Sequence, residues 1–257
     1  MKGRINNSRI RRWSLLVFGV VIIGALLIGI QWVTFTRAPL PEALEALESD
    51  ELVTVTQEHW LIFSPAQTTP STGLIFYPGG RIDPRGYASL MRTIASEGYL
   101  VVVPKMPFNI AAFSPNTADE IIAANPDIDL WVIGGHSVGG TMAAQYTDKH
   151  PEEINGLAIW ASYPADNANL SDLEIPVISI YGSREVRVND SSVAERKHLL
   201  PENTLYIRIE GGDHHQFGSY EINAEGHLAT TSRVSQHEQI IQATVEILQM
   251  VSQNEEY

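Results

Sequence analysis

Ser137 stands in the segment Gly135-His136-Ser137-Val138-Gly139, directly after the apolar run LWVIGG (130–135) and before the helix-compatible stretch GTMAAQYTDKH. A strand, GxSxG, helix sequence makes a sharp turn that lifts a serine hydroxyl above a sheet, and small residues let that turn close. The helix that follows favours negative charge at its N-terminus. A hydroxyl is a weak nucleophile until a neighbouring imidazole takes its proton. His214 and His215 lie just past the run TLYIRI (204–209), where such a base would come. The chemistry implied is acyl transfer through an acyl-Ser137 intermediate. That chemistry also needs amide donors aimed at a tetrahedral oxyanion. Val138 offers the first donor, and the loop Tyr77-Pro78-Gly79-Gly80-Arg81 the second, from either Gly80 or Arg81. His136 reads as a structural or pocket residue. His59, His150, His198, His227 and His237 read as ordinary exposed helix or loop residues.

These groups need elements to position them. The segments Leu52–Thr56 and Trp60–Ser64 predict an antiparallel strand pair. Apolar runs then recur at 74–77, 99–103, 130–135, 157–162, 177–181 and 204–209, short and continuous, as in strands covered on both faces. Helical stretches alternate with them at Pro84–Glu97, Thr117–Ala124, Val138–His150, Ser191–Leu199 and Arg233–Val251. The alternation predicts an α/β fold: a mostly parallel central sheet flanked by helices and built by right-handed crossovers.

Three segments in this order, YPGG at Tyr77–Gly80, GGHSVGG at Gly134–Gly140 and GGDHHQFG at Gly211–Gly218, make the body from about Leu52 onward resemble the α/β-hydrolases, specifically a small lidless serine hydrolase group. The third segment departs from the group's pattern, with Asp213 where asparagine is expected. The resemblance selects His214 over His215 as the base. It also predicts an orienting acid after the run VISIY (177–181), where Glu185 stands in place of the usual aspartate and Asp190 is the alternative. Only Pro164–Ile175 separates two strands where many such enzymes insert a lid, so no large lid is expected. Gly79, Tyr87 and Phe217, with Asp83, Arg85 and Phe108, are further candidates for lining the pocket, against a plain packing role. An esterase acting on small or medium acyl groups is the expectation. A thioesterase, lipase, peptidase or acyltransferase would use the same groups, and a binding protein that keeps only the fold is the alternative of another class.

From Trp13 to Val33 the chain runs WSLLVFGVVIIGALLIGIQWV without a charge, close to the ~20 residues a membrane-spanning helix needs. Lys2, Arg4, Arg9, Arg11 and Arg12 precede it; the whole chain carries −13 and these five bases +5, so the rest carries −18. The expected organisation is a basic cytoplasmic N-terminus (1–12), a single-pass signal anchor (13–33), a stalk (34–51) and an extracytoplasmic catalytic domain (52–257). A cleaved signal peptide is the rival, but its apolar core is usually shorter, ~7–15 residues, and no clean cleavage site follows. So acidic a body excludes nucleic acid as a partner. The absence of cysteine excludes disulfides, thiolate metal sites and a cysteine nucleophile. No cofactor is expected: the glycine pairs form neither a GxGxxG nor a phosphate loop, and His214 and His215 beside Asp213 are a poor metal set, because adjacent residues rarely point at one ion.

Overall fold

The structure is a computed structural model that describes residues 7–222 and 228–253; within its first helix the side chains at 7–12, 14, 27, 28, 30 and 32–34 lie outside the description. His227 and the bases at 2 and 4 are thus not described. The chain divides into two units, Met1–Phe35 and Thr36–Tyr257. The first holds α1 (Asn7–Thr34), a helix of 28 residues whose described large side chains between Trp13 and Leu26 are exposed. Among the described residues no helix is long and apolar enough to cross a membrane. Several of the undescribed side chains fall inside the uncharged run itself.

The second unit is built on one sheet of β1 (Val53–Thr56), β2 (Trp60–Pro65), β3 (Thr72–Tyr77), β4 (Leu100–Pro104), β5 (Leu130–His136), β6 (Gly156–Trp160), β7 (Val177–Gly182) and β8 (Leu205–Ile209). The spatial order is β1-β2-β4-β3-β5-β6-β7-β8. β2 runs antiparallel to β1 and β4, and every other pairing is parallel. Both faces of the sheet are buried, which is why its strands read as unbroken apolar runs. Along β3, Leu74 and Phe76 enter one core, while Ile75 and Tyr77 enter the other. The first core lies under α3 (Ala88–Ser96) and α7 (Arg233–Gln253), which contribute Leu90, Met91, Ile240 and Ile247. The second lies under α4 (Thr117–Ala124) and α5 (Val138–Lys149), with Ile121, Ala143 and Tyr146.

Chain order reverses at β3, whose neighbours are β4 on one side and β5 on the other. Connections leaving β3 and β5 therefore diverge to opposite faces and open a crevice at the carboxyl ends of these strands, where ligands bind in open α/β sheets. The loop at 77–81 and the turn at Ser137 sit at that crevice.

Two expectations need correction. The segment expected as a stalk is, from Thr36 on, packed against the body. Arg37 and Pro39 bridge to Ile82 and Tyr220, and α2 (Pro41–Glu45) buries Ala43. Arg92 closes over the end of this strap by donating to the carbonyls of Ala46 and Glu48 and pairing with Asp50. Two helical stretches are also broken at their ends. Pro84–Tyr87 is a 3-10 turn leading into α3, and α6 (Asp190–Arg196) passes into a 3-10 turn at Lys197–Leu199. The 161–176 connection carries no helix or strand, as expected for a chain without a large lid.

Candidate active site

Ser137 occupies the turn between β5 and α5 with φ 55° and ψ −124°, a left-handed conformation that a residue other than glycine adopts only under constraint. The constraint is a set of backbone bonds. Its amide donates to the Trp160 carbonyl at 2.9 Å, and its own carbonyl accepts from Ser162 Oγ at 2.7 Å and the Thr141 amide at 3.2 Å. No hydrogen bond holds its Oγ among the described residues, so the hydroxyl remains available. Gly139 makes the turn possible: a Cβ there would lie 2.1 Å from the Tyr77 carbonyl oxygen, so only glycine lets the first turn of α5 press against the end of β3.

His214 opens a 3-10 turn (His214–Gln216) just beyond β8. Its Nδ1 lies 2.9 Å from Glu185 Oε2, while Glu185 Oε1 accepts the Gly182 amide at 2.9 Å. The longer glutamate arm thus folds back onto the end of β7, which pins one oxygen and presents the other. Burial raises the Glu185 carboxyl pKa, opposed by the bonds from His214 and Gly182. With Nδ1 engaged by Glu185, Nε2 is the ring nitrogen left without that partner. The His214 ring lies 4.7 Å from the ring of His136, the residue preceding Ser137, so this imidazole and the turn are neighbours.

Asp190 is elsewhere: exposed at the start of α6, it accepts from Tyr181 Oη and Arg208. His215 lies edge-on to His214 and its amide donates to Asp213 Oδ1. The departure at Asp213 has a structural reason. Its buried carboxylate accepts the amides of His215 and Gln216 on one oxygen and those of Leu228 and Ala229 on the other, at 2.8 to 3.0 Å. Four donors suit two acceptor oxygens, whereas an asparagine would turn its NH₂ toward one pair of amides.

The 77–81 loop distinguishes Gly80 from Arg81. The Arg81 amide is committed to the Asn109 carbonyl at 2.7 Å, and the Gly79 amide to Tyr87 Oη at 2.9 Å. The amides of Gly80 and Val138 have no acceptor among the described residues. They belong to adjacent residues, since a Cβ on Gly80 would lie 3.1 Å from Val138 Cγ1.

Gly79, Tyr87 and Phe217 were candidates for lining a pocket, and the structure places all three beneath the surface. Tyr87 Oη accepts from Gly79 and lies 2.9 Å from His136 Nδ1. Its single proton then goes to that nitrogen. His136 is accordingly the neutral, acceptor-at-Nδ1 tautomer, and burial, reinforced by His214 and His215, holds its pKa well below the ordinary value. Phe217 stacks on the His136 ring at 5.4 Å. These residues hold the loop from below. Tyr87→Phe would strand both a buried amide and a buried imidazole nitrogen, so it should cost about 1–3 kcal/mol in urea unfolding. It should also slow turnover; an unchanged midpoint and rate would rule out this support. Asp83 and Arg85 pair with each other, and Phe108 is exposed against Phe113.

Two features escaped the sequence. His237 is not an ordinary exposed residue: on α7 it meets the backbone of Gln216 and Gly218, and burial together with Arg233 lowers its pKa to about 4. Among the described residues Asp119, His150 and Glu153 are a group that could hold a metal ion, with ligand atoms within 4.8 Å of one another. Tyr146 Oη lies within hydrogen-bond distance of both carboxylates and donates its single proton to one of them, and its ring stacks on His150.

Known structures repeat this architecture. A predicted CIB-like hydrolase from Thermoplasma acidophilum superposes with TM-score 0.57 at 14% identity, covering 76% of this chain and 98% of that one. The native esterase Est2 from the Planctomycetes species Thermogutta terrifontis gives 0.54 at 15%, over 82% and 95%. TT1662 from Thermus thermophilus gives 0.55 at 12%, over 77% and 98%. At such identities the likeness is one of fold. A comparison with curated protein sequences found no match. A sequence profile of the alpha/beta hydrolase family, however, matches residues 73–238, more than half of the chain, and with that match the chain belongs to the alpha/beta hydrolase family.

Proposed function

We propose that the protein is a membrane-anchored serine hydrolase of carboxylic esters, with Ser137 as nucleophile, His214 as general base and Glu185 as the acid that orients it. The observation that carries this is the 2.9 Å contact between His214 Nδ1 and the buried Glu185 carboxylate, on a ring beside the Ser137 turn. His214 takes the hydroxyl proton as Ser137 Oγ bonds to the ester carbonyl carbon, and the amides of Gly80 and Val138 face the oxyanion. Collapse of the adduct breaks the carbon–oxygen bond to the alcohol, which leaves with the proton from His214. Water then attacks the acyl-enzyme by the same route and releases the acid. Est2 of Thermogutta terrifontis, an esterase with this fold, supports ester chemistry over the other reactions such a triad performs.

Without a large lid the site suits small or medium acyl groups. A panel of 4-nitrophenyl esters of rising chain length should peak at short chains, and a preference for long-chain triglycerides with interfacial activation would overturn that. A fluorophosphonate probe should label Ser137; a binding protein that retained only the fold would not react.

The anchor is proposed from residues 13–33, an uncharged run behind five bases. By the positive-inside bias the N-terminus stays in the cytoplasm and the catalytic unit faces outward. Protease added to intact cells, or to spheroplasts where an outer membrane is present, should digest the body. Protection until lysis would reverse the orientation.

A further inference from the structure

We infer that the ester cleaved at Ser137 carries an oxyanion of its own, a carboxylate or a phosphate, gripped by Arg37, Arg184 and Arg187 in the cavity beside His214; this rests on the hydrolase function proposed above. The cavity, about 370 Å³, has these three arginines in its wall together with Glu185 and His214. The two carboxylates among its described wall residues, Glu185 and Asp213, are already committed. Glu185 serves His214 and the Gly182 amide, and Asp213 serves four backbone amides.

The arginines differ from others of the same body. Arg85, Arg92, Arg196, Arg208 and Arg233 each meet a carboxylate. Among the described residues Arg184 and Arg187 form no ion pair, Arg184 acting on Glu210 only through space, and Arg37 reaches the Glu221 carbonyl at 3.3 Å. A chain of net charge −13 has no general surplus of cations, so three gathered at one cavity call for a local anion. Distant acids are screened beyond about 8 Å at physiological salt, leaving the guanidinium groups to dominate at contact. Their planar forks match carboxylate and phosphate oxygens in pairs.

Placement ties this cavity to the reaction. The Arg37 amide donates to the Arg81 carbonyl and its carbonyl accepts the Asp83 amide, so Arg37 is fixed to the loop that carries Gly80. Arg184 and Arg187 flank Glu185 in the chain. The cations thus border the oxyanion loop on one side and the acid on the other, with His214 between them. Ser137 is not itself in the cavity wall, but His214 is, and its ring lies beside the Ser137 turn, so a charged end held there belongs to an ester that reaches past His214 to the serine. The volume is at the low end for small-molecule sites, which suits a short substrate.

The test compares 4-nitrophenyl hexanoate with mono-4-nitrophenyl adipate, which differ only by a methyl or a carboxylate at the far end, on the full-length chain in detergent. Wild type should prefer the adipate ester in kcat/KM by about tenfold or more, the size of a charge-assisted contact. Raising salt should shrink that preference. In Arg184→Gln/Arg187→Gln the ratio should fall to about one. A wild-type ratio of one or less, or a ratio the double variant leaves intact, overturns the inference. Labelling of Ser137 by fluorophosphonate, run in parallel, separates the two levels: without labelling the hydrolase function itself fails, and with labelling but no preference only the anion is lost. Competition by free adipate or by inorganic phosphate identifies which oxyanion the arginines favour, and competition by neither counts against both.

Discussion

Ser137→Ala should lower kcat by about five to six decades, the loss seen when a triad nucleophile is removed, while the protein folds and melts as the wild type does. The two halves of this expectation have separate grounds. On the proposed mechanism turnover depends on a covalent bond from Oγ, and the nearby hydroxyls of Ser162 and Tyr220 are engaged with the carbonyls of Ser137 and His214. Stability depends on the backbone bonds of Ser137 to Trp160, Thr141 and Ser162, all made by main-chain atoms of residue 137 that alanine keeps. Alanine also pays the same cost for φ 55° as serine, so the strain is unchanged. The unfolding free energy should therefore change by no more than a surface substitution would change it, about 0.5 kcal/mol or less. Fluorophosphonate labelling should disappear together with turnover. Near-normal hydrolysis of 4-nitrophenyl butyrate by Ser137→Ala would dismiss the covalent mechanism, whatever the labelling showed.

The parts of this site that could be read in advance are those whose chemistry is local in sequence. Ser137 was legible because its frame of strand, glycine-bounded turn and helix is contiguous. The strands were legible because burial on both faces removes polar residues from 74–77 or 177–181 altogether. What stayed hidden depends on contacts between distant segments. Nothing near Arg81 announces that its amide would be taken by the Asn109 carbonyl, 28 residues on. Tyr87 looks like a pocket residue because it follows the loop, yet it lies under Gly79 and His136. The prolines and acids at 38–51 suggest an extended stalk, and their docking depends on Arg92 and Ile82, which periodicity cannot connect to them. The departure at Asp213 made sense only once Leu228 and Ala229 were seen to bring their amides to it.

The acid is where geometry adds most to the sequence, because Glu185 and Asp190 were both open and the structure puts them in different surroundings. Glu185 is buried, with Oε1 held by the Gly182 amide and Oε2 against His214 Nδ1. In Glu185→Gln the Gly182 donor still requires an oxygen, which turns the new NH₂ group toward His214. A donor at that position forces Nδ1 to accept and moves the ring proton to Nε2, the nitrogen that must be bare to deprotonate Ser137. The substitution should thus cost about 10³ to 10⁴ in kcat, as an amide in place of a triad carboxylate does. Some fluorophosphonate labelling should survive, since the serine and the oxyanion donors remain. Glu185→Asp tests the same geometry differently: the shorter arm cannot reach both Gly182 and His214, so it should fall between glutamine and wild type. Asp190→Asn alters a surface contact with Tyr181 and Arg208 and should change kcat by less than about threefold, within the range of an exposed ion pair. The opposite ranking, with Asp190→Asn crippled and Glu185→Gln close to wild type, would transfer the orienting role to Asp190 and leave the Glu185 contact a feature of folding alone.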